Sequence, residues 1–244
     1  MNAHVGRIES GEKVIRLAGR AFVADPSGAL FCPQERLLVV ADLHLEKGSA
    51  YAARRVFLPP YDTSATLARL AAVIGRLDPR RVVALGDSFH DGGGASRLLA
   101  HDARALRAMQ VGRDWLWIAG NHDPAPPAAL DGDHAALLRL GAVTLVHVPS
   151  ARPQGGEIAG HLHPIAIVGG AGATVRRRCF AADATRCVMP AFGAYAGGLN
   201  VLDGAVAGLF AARELHAHVL GRAAVYSVSP RQCLADRSMV ELWR

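Results

Sequence analysis

Asp42 and His44 sit two residues apart at the end of an apolar run, LLVVADLHLEKG over residues 37–48. A carboxylate and an imidazole at that spacing can ligate a metal together or move a proton. The pattern recurs along the chain. RVVALGDSFHD (81–91) breaks at Gly86 and Asp87, and WLWIAGNHD (115–123) breaks at Gly120, followed by Asn121, His122 and Asp123. VTLVH ends in His147, and EIAGHLHP (157–164) carries His161 and His163. The assembled donors are oxygens and nitrogens with no thiolate among them, a set that accepts Mn, Fe, Co or Zn.

Such side chains cooperate only if strands carry them to one edge. A continuous Leu/Val run bounded by polar residues suits a strand covered on both faces. In open α/β sheets, ligands bind beyond the carboxyl ends of such strands. Leu67, Leu70, Ala71, Ile74 and Leu77 recur at helical spacing after Pro59-Pro60, so 61–77 is expected to be an amphipathic helix, with a second over 95–111. Strand and helix alternate from 37 to 119, which implies parallel βαβ units. Beyond residue 140 the segments shorten, with strands expected at 173–180, 186–192 and 222–228 and antiparallel pairing among them. The expected fold is α/β, with two face-to-face mixed β-sheets flanked by helices. No linker or repeat divides the 244 residues, so residues 1–244 are read as one domain, with 1–12 a candidate disordered lead-in.

The chain carries 27 basic and 21 acidic residues, a net charge of +6. Only Lys13 and Lys47 are lysines, so the charge is almost wholly arginine, which can fork onto phosphate oxygens. A polyanionic partner fits this balance, and so does arginine-rich composition alone. Cys32, Cys179, Cys187 and Cys233 show no metal-ligand spacing. Residues 1–13 lack the apolar core of a signal peptide. No apolar segment approaches the roughly 18 residues that span a bilayer. A cytoplasmic protein with reduced thiols and no membrane segment is therefore expected.

Taken in order, Asp-x-His (42, 44), Gly-Asp (86, 87), Gly-Asn-His-Asp (120–123), an isolated His (147) and Gly-His-x-His (160–163) resemble the calcineurin-like metallophosphoesterase signature. The stretches EKGSAYAARR, LPPYDT and MPAFGAYAGGLN are similar to a narrower group, the ligase-associated DNA damage response endonucleases of the PdeM type. The broad resemblance implies the family's αββα sandwich and two divalent cations about 3.5–4 Å apart. It implies one metal on Asp42, His44, Asp87 and His163, and the other on Asp87, Asn121, His147 and His161, with Asp87 as the bridge. A hydroxide between the metals would attack phosphorus in line with the leaving oxygen. Manganese is the metal that the resembling nucleases favour. The implied activity is a DNA endonuclease acting in repair on single-stranded or damaged DNA, beside a ligase and a helicase.

His122 is then expected to protonate the leaving group or to stabilise the charge building on it, with Asp123 orienting it. His90, in GDSFH, is similar to the GDLFH of repair nucleases that partner SMC-like ATPases, and would touch the phosphate of a diester. Its alternative is a hydrogen bond to the turn DGGG. Arg54, Arg55, Arg176 and Arg178 are candidate DNA contacts, with solvated surface charge as the alternative. A small-molecule phosphatase or cyclic-nucleotide phosphodiesterase would use the same metals, and a non-catalytic scaffold would show eroded ligands. VGGAGA (168–173) lacks the third glycine of a dinucleotide loop. Asp131, Asp133 and His134 lack the later ligands of a calcium loop. His134 is the rival of His147 as the isolated ligand. His4, His101, His216 and His218 are expected to be solvated.

Overall fold

The computed structural model describes residues 12–125, 130–170, 173–211 and 214–236. His4 and residues 1–11 of the candidate lead-in lie outside the described residues. The first sheet has seven strands in sequence order: β1 (Lys13–Leu17), β2 (Arg20–Ala24), β3 (Leu30–Cys32), β4 (Leu37–Val40), β5 (Arg81–Leu85), β6 (Asp114–Ile118) and β7 (Asp133–Ala135). The β4 to β7 neighbours are parallel, as the alternation of strands and helices requires, and β1 to β4 are antiparallel. β1–β3 were not anticipated; they are short, and turns replace the helices that mark a βαβ unit.

The second sheet runs β15-β14-β12-β13-β10-β9-β8, with β11 also paired to β12. Its strands are β8 (Leu137–Leu140), β9 (Val143–Val146), β10 (Gly156–Ala159), β11 (Ile165–Gly170), β12 (Ala173–Ala182), β13 (Arg186–Val188), β14 (His216–Leu220) and β15 (Val225–Val228). Antiparallel pairs dominate, but β9, β10 and β13 are parallel neighbours. That departure sends the ends of β9 and β10 to one edge. The strand expected over 186–192 stops at Val188. There Met189 N–H donates to Ala159 and Phe192 N–H donates to Ala41, so the chain leaves this sheet to cap the first.

One core cluster fills the space between the sheets, with Leu37, Val39, Val83 and Leu85 facing Leu145, Ile158, Phe180 and Met189. A second lies under α2 (Asp62–Leu77) and α4 (Ala100–Gln110) on the outer face of the first sheet. Val73 completes the buried stripe of α2 with Leu67, Leu70 and Ile74, whereas Ala71 is exposed. The helix expected over 95–111 is interrupted: α3 is one turn (Gly94–Arg97), and Leu98-Leu99 turn the chain before α4. A third cluster covers the outer face of the second sheet with Val201, Val206, Phe210 and Leu215, around the single-turn helix α5 (Gly204–Ala207). All four cysteines are free and buried. Among the described residues, no helix is long and apolar enough to cross a membrane.

Candidate metal centre

Beyond β4 and β5 the chain keeps pairing as two loops. Asp42 N–H donates to Gly86 at 3.2 Å, His44 to Asp87 at 2.9 Å, Leu45 to Ser88 at 2.9 Å and His90 to Leu45 at 2.9 Å. Within these loops, alternate residues enter the left-handed region: Asp42 (φ 53°), His44 (43°) and Glu46 (63°), with Asp87 (45°) opposite. His161 (69°) and His163 (48°) repeat the device on the second sheet. A non-glycine residue held there costs on the order of 1–3 kcal/mol. Five of the seven expected ligands carry this cost, so the surrounding hydrogen bonds must hold them. The glycines before the ligands have a separate reason. A Cβ on Gly86 would stand 2.2 Å from His147 Nδ1, one on Gly120 2.1 Å from Asp87 N, and one on Gly160 2.6 Å from Asp42 Oδ2.

The structure brings the seven expected ligands together. Asp42, His44 and His163 form one group of potential donors, and Asp87, His147 and His161 a second, with the donor atoms of each group within 4.8 Å of one another. Asn121 Oδ1 lies 3.0 Å from His147 Nε2. Both Asp42 oxygens accept the His161 N–H, at 3.2 and 3.0 Å, which stitches the first sheet's tip to the second's.

His147 Nδ1 donates to the Leu85 carbonyl at 3.0 Å, so in the neutral ring Nε2 turns its lone pair toward Asn121 Oδ1 and, at 3.4 Å, Asp87 Oδ1. His44 Nε2 and His163 Nε2 face each other at 3.3 Å, with Asp42 Oδ1 3.2 Å from the latter. Lone pairs gathered this closely are what a cation stabilises, and the donor set fits two divalent metals. Burial would raise the Asp87 carboxyl, but when His147 takes up a proton, as the facing carboxylates favour, its hydrogen bond, the His122 amide and the nearby imidazoles outweigh burial and hold the group at about 2. Burial pushes His44 down to about 4, keeping one ring nitrogen available as a donor of an electron pair.

His122 stands beside this cluster. Its N–H donates to Asp87 Oδ1 at 2.9 Å, and its ring Nδ1 donates to the His90 carbonyl at 2.9 Å. Nε2 is thereby left facing the site, 3.9 Å from Asp87 Oδ2. The His90 ring stacks on that of His122 at 5.4 Å and lies 5.5 Å from that of His44. Its buried Nδ1 has no hydrogen-bond partner. Burial lowers its pKa, with the Lys47 and His122 charges adding to the effect. Asp123 departs from expectation. It makes no hydrogen bond to His122; its buried Oδ2 accepts the Phe89 N–H at 3.0 Å and braces the loop that carries Asp87 and His90. Burial raises this carboxyl to about 6.

The three stretches EKGSAYAARR, LPPYDT and MPAFGAYAGGLN meet as one wall of the site. Glu46 accepts from Thr63 Oγ1 at 2.9 Å, Gly48 N–H donates to Asp62 Oδ2 at 2.9 Å, and Ala194 N–H donates to Thr66 Oγ1 at 3.0 Å. Lys47 reaches the Tyr195 carbonyl at 3.0 Å from α1 (Lys47–Ala53). Sequence reasoning passed over Lys47 as a site residue, although it is one of two lysines and lies three residues after His44. Tyr51 was also missed, and its ring is 5.5 Å from that of His90.

Arg54 and Arg55 are exposed at the end of α1. Arg176 is exposed and donates to the Gly198 carbonyl at 3.2 Å. Arg178 is not a free surface cation: it is partly buried and donates to the Ala191 carbonyl at 2.8 Å, beside Arg69, which stacks over the Phe192 ring. Its carbonyl contacts brace the 189–200 segment, which corrects its assignment as a DNA contact. His134 is exposed on β7 and belongs to neither ligand group, whereas His147 is buried in one. His218 is buried, not solvated, and its Nδ1 pairs with Ser227 Oγ at 2.9 Å. His101 and His216 are exposed.

The family described as calcineurin-like phosphoesterase matches residues 35–178, more than half of the chain. No curated protein shows a significant sequence match. Among solved structures, the nuclease MPE of Pseudomonas putida is similar at 27% sequence identity and a TM-score of 0.70, over 89% of this chain and 100% of that one. The matched segment runs from the start of β4 into β12 and contains all seven donors gathered at the two sheet edges. The chain belongs to the calcineurin-like phosphoesterases.

Proposed function

We propose that this phosphoesterase is a DNA endonuclease that hydrolyses phosphodiesters with two divalent metals, manganese the first choice among Mn, Fe, Co and Zn. The observation that carries the reading is the pair of neighbouring ligand groups, Asp42/His44/His163 and Asp87/His147/His161, with His90 and His122 stacked on one side. The nuclease neighbour supports the substrate class. When bound, the cations would supply a nucleophile at neutral pH and positive charge around the phosphoryl oxygens. The resemblance assigns Asp87 the bridge; its carboxylate stands with His147 and His161, and its backbone carbonyl accepts the His44 N–H at 2.9 Å.

His122 is the general acid in this reading. Its Nδ1 is committed to the His90 carbonyl, so a proton on Nε2 is the one aimed at a leaving oxygen. His90 holds the scissile phosphate through the same mouth, and Lys47 and Arg54 add positive charge beside it. A diester carries one negative charge fewer than a monoester, so neighbouring imidazole and ammonium groups have more of the binding to do. Arg55 and Arg176 lie on the exposed rim as further phosphate contacts.

The repair setting beside a ligase and a helicase, the cytoplasmic location and the reading of the chain as one domain belong to the same proposal. The first rests on the sequence resemblance, the second on four free thiols, and the third on a core shared by both sheets. The test is hydrolysis by metal-stripped protein, reloaded with each metal in turn, of closed circular single-stranded DNA, plasmid and nucleotides. Linearisation or nicking of the circles is expected. Rapid turnover of a nucleotide with none of any DNA would replace the reading with a small-molecule phosphodiesterase.

A further inference from the structure

The loop joining α1 to α2 keeps its aromatic side chains in water. Phe57 is 83% exposed and Tyr61 67%, with Val56 beside them at 49%. Large apolar side chains on a slack loop would fold back onto the protein, but this loop is pinned. Val56 N–H donates to the Tyr51 carbonyl at 3.0 Å, Tyr61 N–H to Pro59 at 2.9 Å, and Asp62 Oδ2 holds the Gly48 N–H at 2.9 Å. Pro59 and Pro60 fix two further backbone angles. The rings are presented, at little entropic cost to a ligand that meets them.

The loop also adjoins the metal loops. Tyr51, whose carbonyl anchors Val56, has its ring 5.5 Å from that of His90. Phe57 follows Val56, with Cα atoms about 3.8 Å apart. Arg54 is near enough to His90 for its charge to act on that ring, and Arg55 is exposed beside it in a left-handed conformation (φ 60°). Cationic groups therefore flank exposed aromatic faces at the mouth of a phosphoester site. That combination suits a flexible polyanion carrying flat apolar groups.

We propose that Phe57 and Tyr61 are a base-stacking platform that admits single-stranded DNA, with Arg54 and Arg55 holding the adjoining phosphates. The inference rests on the nuclease reading above and names the side chains that would take the unpaired strand. A duplex hides its base faces in its own stack, whereas an unpaired strand offers every base to an aromatic ring regardless of sequence.

The test is binding of a fluorescent single-stranded oligonucleotide, with chelator present to prevent cleavage, beside a strand of abasic residues and a duplex of equal length. Phe57→Ala is expected to weaken single-strand binding by roughly five- to a hundredfold, the range of one base stacked on an aromatic ring. Phe57→Trp should restore binding and Phe57→Leu should not, because leucine keeps apolar bulk without a π face. The abasic strand should bind wild type and Phe57→Ala alike. Thermal melting checks that each variant is folded, and exposed Phe57 has little packing to lose. Rescue by leucine, an unchanged affinity in Phe57→Ala, or an equal loss with the abasic strand would each overturn the platform. A wild-type protein that cleaves DNA while Phe57→Ala binds normally defeats only this inference; a protein inert toward all DNA defeats the nuclease reading with it.

Discussion

At the scale of single residues, protons and carboxylates decide the chemistry. Removing the shared carboxylate in Asp87→Ala should abolish both metal occupancy and hydrolysis, because two cations are then left facing each other without it. Metal analysis after desalting checks this, and two tightly held metals in the variant would reject the bridge. His122→Ala should retain both metals and lose roughly 10²- to 10⁴-fold in rate. His90→Ala should lose DNA cleavage while keeping much of its turnover of an activated diester with a good leaving group. Equal losses on both substrates would make His90 part of the bond-breaking step. Far from the metals, burial pushes His218 from an ordinary value near 6.5 down to about 4. Above pH 6.5 the ring is neutral folded or unfolded. As pH falls from 6.5 to 4 the unfolded chain takes up a proton that the folded one does not, so stability drops by up to about 3 kcal/mol across that window. Urea melts of wild type and His218→Gln across that range should show the extra slope in wild type alone.

At the scale of elements, the loops after β5, β6 and β10 are held so closely that glycine is a packing requirement. In Gly120→Ala the new Cβ would fall 2.1 Å from the Asp87 amide nitrogen and 2.5 Å from Asp123 Oδ1. The loop bearing the Asp87 carboxylate must then move, with a loss of about 1–3 kcal/mol and weaker metal binding. Gly75, in the exposed face of α2, has nothing within 4 Å of its Cβ position. There the same change should stabilise by roughly 0.5–1 kcal/mol, since alanine is the better helix former. Paired melting curves test the opposite signs, and similar shifts for both would refute the packing argument. Arg178 belongs to this scale too: by tying β12 to the 189–200 segment it positions a wall of the site, so Arg178→Ala should lower the melting temperature.

At the scale of the whole molecule, a net +6 is spread over a surface rich in arginine, and only part of it can face a substrate. Replacing Arg54, Arg55 or Arg176 by Ala should each flatten the log-log salt dependence of DNA binding by roughly one unit if that side chain meets a phosphate. Arg178→Ala should leave the slope alone, because its guanidinium is spent on backbone carbonyls. Binding of single strands across a salt series measures all four. An unchanged slope throughout would make the positive charge a matter of composition. The parallel strands β4, β5, β6, β9 and β10 bring their carboxyl ends together at the metal loops.

The sequence by itself determined the donor types, the strands that carry Asp42, Asp87, Asn121 and His147, and the family resemblance, because each is written in local runs and in the order of short motifs. β1–β3 escaped notice because short antiparallel strands lack a helix between them to mark the alternation. The break in the 95–111 helix escaped because its apolar spacing continues through Leu98 and Leu99. The sequence already favoured His147 over His134, because His147 ends an apolar run; the tertiary structure alone showed that this strand ends beside Asp87. It also gave Asp123 to Phe89 instead of His122, buried His218 against Ser227, and turned Arg178 inward. Those outcomes depend on contacts between residues far apart in the chain, such as the parallel pairing of β9, β10 and β13 that carries His147, His161 and His163 to the tips of the first sheet. Local periodicity says which face a residue takes, but what stands opposite that face is decided by packing.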